Sequence, residues 1–168
     1  EAFGLLAMVV AVTSFVTLFK DLGLSMATVQ QAEVSGEQVN ALFWINVAVS
    51  AGVTLVMGAL SPAIAWFYTE PRLVEITLAL ATGLLVSGFS VQHQALMKRQ
   101  MRFTALAVVE VAATLGSVLV AVAAAWQDTG YWALVFQQLS RELFITLGSW
   151  AACTWRPGRP AWASGLRS

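Results

Sequence analysis

Apolar residues run almost unbroken through five stretches of the chain, 2–19, 41–68, 73–91, 103–126 and 131–155, and polar residues gather in the gaps between them. Crossing a ~30 Å hydrocarbon core takes about 20 helical residues at ~1.5 Å each. In lipid no backbone polar group can be left without a partner, so runs of this length are expected to be helices. The pattern predicts an all-α integral membrane bundle of about five transmembrane helices, near residues 2–19, 36–68, 71–96, 103–126 and 131–155, followed by a cytoplasmic segment at 156–168.

Local signals mark the boundaries. Ser35-Gly-Glu-Gln38 has the form of a capping box just ahead of the second run. Glu70-Pro71 suits an N-cap followed by proline at the first helical position, so the third helix is expected to start at Pro71. Pro62 falls inside the second run and is expected to kink it near Gly58. Asp128-Thr-Gly130 reads as a tight turn.

Composition agrees with a lipid setting. The chain is 58% hydrophobic and 11% charged, against roughly 25% charged residues in soluble domains. The net charge is zero, which argues against a nucleic-acid partner. The placement of the charges is more telling. With alternate loops on alternate sides, Lys20, Lys98, Arg99, Arg102, Arg156, Arg159 and Arg167 fall on one side and Arg72 alone on the other. That bias predicts that segments 20–40 and 92–102 and the C-terminal tail are cytoplasmic. Trp44, Trp66, Tyr68, Trp126, Tyr131, Trp132 and Trp155 lie at run ends, as an interfacial belt requires. Glu1 lies at the edge of an apolar run with no basic segment ahead of it, so the run is not expected to be a signal peptide and the chain is expected to be part of something longer. The single cysteine, Cys153, cannot form an internal disulfide.

Small residues recur four apart at Ala48/Gly52, Ala112/Gly116 and Ala121/Ala125, a spacing that lets helices approach closely. Polar stripes follow the same periodicity: Asn46, Ser50 and Thr54; Gly83, Ser87, Ser90 and Gln94; Glu110, Thr114 and Ser117; and Gln137/Arg141 with Gln138/Glu142. Four such stripes suggest helices around a hydrated interior, with plain interhelical hydrogen bonding as the alternative.

Glu110, Arg141 and Glu142 are ionisable residues inside apolar runs, where a charge costs at least ~2.5–3.5 kcal/mol unless it finds a partner or water. Glu110 lies ~10 Å and Arg141 ~20 Å above the cytoplasmic ends of their helices, so a long arginine side chain could join them. Arg141, with Gln137 and Gln138, is a candidate cationic contact for an anionic head group; the competing reading is an internal ion pair. No catalytic constellation is present. His93, in Gln92-His-Gln94, has no partners for a metal site and reads as an interfacial polar residue at a helix end. The basic run at 98–102 is expected to act as the topology signal, with contact to anionic lipid head groups as the second reading. No cofactor is expected, and the chain is not expected to be an enzyme.

Certain phrases carry a family likeness: Phe3-Gly-Leu-Leu-Ala-Met-Val9, Asp21-Leu-Gly-Leu-Ser25, Leu42-Phe-Trp-Ile-Asn46, Ala65-Trp-Phe-Tyr-Thr-Glu-Pro71, Ala95-Leu-Met-Lys-Arg-Gln-Met-Arg-Phe103, Gly130-Tyr-Trp-Ala-Leu-Val135 and Trp155-Arg-Pro157. In order and spacing they resemble the Wzx-type polysaccharide flippases of the multidrug/oligosaccharidyl-lipid/polysaccharide exporter superfamily. The resemblance implies that this is a partial N-terminal bundle of a larger two-bundle transporter, partnered by a C-terminal bundle. It also implies a multi-pass protein of the bacterial cytoplasmic membrane that moves an undecaprenyl-diphosphate-linked oligosaccharide between leaflets by alternating access. A drug or cation antiporter of the same superfamily, with Glu110 in ion coupling, is the alternative. A membrane lipid-modifying enzyme would need an interfacial His/Asp or metal cluster, and none is visible in the sequence.

Overall fold

The structure is a computed structural model that describes residues 36–158. The run at 2–19, Ser35 of the capping box, Lys20, Arg159 and Arg167 lie outside the described residues. Among the described residues every regular element is an α-helix: α1 (Gly36–Phe67), α2 (Arg72–Arg99), α3 (Phe103–Ala125) and α4 (Trp132–Ala152). In space α1 packs on α2, α2 on α4 and α4 on α3. Hydrogen bonds from Arg102 to the Ala152 carbonyl and from the Gly158 amide to Asn40 bring the starts of α1 and α3 and the end of α4 to one end of the bundle. The basic run at 98–102 belongs to this end. At the opposite end Leu73, Ile76 and Leu80 of α2 close against Ala65 of α1 and Val135 of α4.

Helices α1, α2 and α3 are each long and apolar enough to cross a membrane. Helix α4 is not apolar enough by composition, because Gln137, Gln138, Arg141 and Glu142 occupy its middle. Leu55 and Val56 of α1 are 74% and 58% exposed, and Leu115 and Leu119 of α3 are 63% and 70% exposed. Apolar surface on this scale has no place in water and suits hydrocarbon. The chain is a helical membrane protein.

Several helix boundaries differ from the sequence reading, most by a single residue. Helix α2 begins at Arg72, with Pro71 as a cap residue that makes no side-chain bond. Glu70 caps nothing with its carboxylate, which lies 3.8 Å from Arg72 Nε, while its carbonyl accepts the Leu73 amide at 3.1 Å. Helix α2 runs on to Arg99, three residues past the predicted end, and stops in a turn with Met101 at φ 56°. The amides of Met101 and Arg102 bond back to Lys98 and Met97, which closes the open carbonyls of the last turn. Helix α4 ends at Ala152 instead of 155, since Cys153 is extended.

Pro62 sits within α1, which remains one helix from Gly36 to Phe67. Proline has no amide hydrogen for the carbonyl four residues back. Here that carbonyl belongs to Gly58, and the buried Ser61 hydroxyl donates to it at 2.7 Å. Ser61→Ala in the full-length protein is therefore expected to cost about 0.5–1.5 kcal/mol. It should cost little in a Pro62→Ala background, where the backbone bond returns. Thermal unfolding in detergent of the two single variants and the double would check this.

Candidate functional site

Most of the polar stripes are consumed by helix packing. Asn46 of α1 donates to Gln92 of α2 at 3.3 Å, and Thr54 of α1 donates to the Ala81 carbonyl at 2.9 Å. Ser50 lies against Gly88, where an added Cβ would fall 2.7 Å from the Ser50 Cβ. Ser87 and Ser90 turn their hydroxyls onto carbonyls of their own helix, and Gln94 donates to Ser90. Thr146 of α4 donates to the Val86 carbonyl, joining α4 to α2. The stripes on α1 and α2 are therefore the seams of a bundle, and the hydrated interior expected from them is not formed there.

The intramembrane charges are arranged differently. Arg141 projects from the middle of α4, and its Nη2 meets Glu110 Oε1 of α3 at 2.8 Å. Its Nη1 lies 3.7 Å from Glu142 Oε1 on the same helix. Glu142 is buried and reaches toward Gly83 of α2, which has no side chain to obstruct it. Glu110 is 65% exposed and Arg141 30% exposed. Thr114, one turn along α3, is exposed beside them, and Gln137 and Gln138 are half-buried one turn along α4. The structure thus brings together Glu110, Arg141 and Glu142 as a charged triad open on the α3–α4 seam.

Two glycines let that seam close. Phe144 of α4 packs onto Gly116 of α3, and Val109 of α3 packs onto Gly148 of α4. Gly116 was legible as part of a small-residue pair. Gly148 and Gly88 were not, and Gly83 stood out only as a member of a polar stripe. Gly52, by contrast, faces open space.

His93 departs most from its sequence reading. It lies in the last two turns of α2 and is fully buried, with its ring stacked on Trp150 at 4.7 Å and 25°. The Phe89 carbonyl accepts from both His93 Nδ1 at 3.2 Å and Trp150 Nε1 at 3.0 Å. Burial follows from this pairing of two flat aromatic rings over a shared acceptor. Trp150, four residues beyond Thr146 in the sequence of α4, gave no sign of this role.

No group of His, Cys, Asp and Glu residues among the described residues is placed to hold a metal.

Comparison with known proteins agrees with this architecture. A family model described as "Polysaccharide biosynthesis protein" matches residues 1–168. The teichuronic acid biosynthesis protein TuaB of Bacillus subtilis is 27% identical over 59% of this chain and 20% of its own length. The lipopolysaccharide biosynthesis protein WzxC of Escherichia coli is 26% identical over 67% of this chain and 23% of its own. An uncharacterized membrane protein in the cps region of Klebsiella pneumoniae is 27% identical over 64% of this chain and 22% of its own. No solved structure gives a significant match. The chain spans about a fifth of the length of the curated relatives it matches. A match along its whole length, on a helical bundle built for lipid, places the chain in the polysaccharide biosynthesis protein family.

Proposed function

We propose that the full-length protein is a flippase of the bacterial cytoplasmic membrane. It carries an undecaprenyl-diphosphate-linked oligosaccharide from the inner to the outer leaflet by alternating access. No bond is made or broken, so no catalytic residue or cofactor is required. The bundle described here supplies one wall of the passage, and the remaining C-terminal part of the protein supplies the other.

The observation that carries this reading is the triad. Glu110 is 65% exposed on the bundle surface within α3, a helix apolar enough to cross a membrane, and an ionised carboxylate facing hydrocarbon is costly. The α3–α4 seam therefore faces protein or water, and the apolar outer face of α1 faces lipid. Arg141 is held by a carboxylate from each helix. A diphosphate offers more charge and more acceptor oxygens than Glu110 and can compete for the same guanidinium donors. Gln137 and Gln138 stand one turn away for the sugar or phosphate oxygens.

Vesicles reconstituted with the full-length protein test it directly. They should translocate a fluorescent lipid-diphosphate oligosaccharide and leave a cationic dye where it was added. Transport of the dye without the lipid-linked sugar would instead favour an antiporter that uses Glu110 for ion coupling.

A further inference from the structure

Beyond α4 the chain does not run free. Residues 153–158 turn back across the end of the bundle toward α1. Cys153 is extended and buried. The Trp155 ring packs 5.4 Å from His93 of α2 and 5.8 Å from Phe43 of α1, both at steep angles. The Arg156 guanidinium lies 5.8 Å over the Trp150 ring, and its Nη1 donates to the Cys153 carbonyl at 2.7 Å. At the far end both backbone groups of Gly158 are held by α1. Its amide donates to Asn40 Oδ1 at 2.9 Å, and its carbonyl accepts Trp44 Nε1 at 3.0 Å.

These contacts join three helices. Phe43 is almost fully buried beneath Trp155, and its ring also meets His93 edge-on at 6.1 Å and Phe89 at 6.2 Å. His93 in turn stacks on Trp150 of α4. Two hydrogen bonds from α1 fix the backbone of Gly158, the residue that follows Pro157, and proline restricts the local backbone. Two of the phrases that carry the family resemblance, Leu42-Phe-Trp-Ile-Asn46 and Trp155-Arg-Pro157, thus meet in space.

We propose that residues 153–158 are a clasp that ties the end of α4 to the start of α1 across α2, so that α1, α2 and α4 move as one body during transport. The inference rests on the transport reading for its purpose, though not for its geometry. Cys153 is a built-in reporter, since it is the first residue of the clasp and is buried with the clasp seated.

The test uses full-length protein in membranes, with any cysteine outside this chain changed to serine. N-ethylmaleimide alkylation of Cys153 is followed by mass spectrometry. Wild type should react at least ~100-fold more slowly than detergent-unfolded protein, since burial holds the thiol out of reach. Asn40→Ala/Trp44→Phe, which keeps the apolar packing, should react roughly tenfold faster than wild type, because the loss of two hydrogen bonds is worth about that factor. Trp155→Ala should do the same. In a Cys153→Ala background, an Asn40→Cys/Gly158→Cys cross-link should leave translocation intact. Fast alkylation of wild type, or no change in the variants, would overturn the clasp. Loss of translocation on cross-linking, regained on reduction, would show that it opens and would overturn the single moving body. If wild type translocates nothing while alkylation responds as stated, the transport reading fails and the clasp stands.

Discussion

Full-length protein carrying Arg141→Ala is expected to lose export of the lipid-linked glycan and much of its folded yield. Removing the guanidinium leaves Glu142 buried without its cation and Glu110 alone on the α3–α4 seam. Breaking a buried pair from one side costs roughly 3–5 kcal/mol, because the remaining charge keeps its desolvation penalty. A collapse in yield alone would therefore not separate a substrate contact from a structural tie. The triple variant Glu110→Gln/Arg141→Gln/Glu142→Gln does separate them. It removes all three charges, keeps side chains of similar size and restores hydrogen-bonding partners across the seam. Folded yield should return to near wild type, while export stays down by roughly tenfold or more, as a lost charge-assisted contact worth ~1.5–3 kcal/mol requires. Export restored along with yield would reduce the triad to a tie between α3 and α4. Normal export in Arg141→Ala at normal expression would remove Arg141 from the passage altogether.

The second large effect concerns Gly88. At this position α1 and α2 approach so closely that an added Cβ would lie 2.5 Å from Ser50 Oγ and 2.7 Å from Ser50 Cβ. The hydroxyl could rotate away, but Cβ is fixed to the backbone of α1. Any larger residue must push the two helices apart and disturb the neighbouring Asn46–Gln92 and Thr54–Ala81 bonds. Overpacking of this kind typically costs about 1–3 kcal/mol. Gly88→Val should lie at the upper end, read as a clear drop in the midpoint of thermal unfolding in detergent. Gly52→Val is the matched control. Nothing lies within 4 Å of its added Cβ, so its unfolding midpoint should stay close to wild type. Equal effects at the two glycines would mean that α1 presents a different face to α2.

These two glycines also show how far the linear pattern reaches. The spacing of Ala48 and Gly52 marked a close-packing face on α1, yet both residues lie on its outer side. The close approach belongs to Gly88 on the partner helix, whose small neighbours gave no four-residue pair to notice. A small residue states only that a helix can be approached there. Which helix comes, and at what rotation, depends on side chains distant in sequence. The same holds for the stripe of Asn46, Ser50 and Thr54: its shared face was legible, but whether it met water or another helix was not. The burial of His93 was missed for a related reason, since the aromatic ring stacked on it lies 57 positions further on in the chain.

The lipid habitat and the four described helices could be read in advance because each follows from local quantities, whereas the contact of Arg141 with Glu110 was one of two open readings until the structure placed the two side chains together. Run length against bilayer thickness fixes the helices, and rise per residue fixes how deep a charge sits. The neighbour order of the helices, the glycines that admit them and the seating of 153–158 over α1 depend on many weak contacts between remote residues. In a bilayer these contacts gain little from burying apolar surface, since lipid is equally apolar, so fit and interhelical hydrogen bonds select among packings. Fit is a property of surfaces brought together, and no single segment contains it.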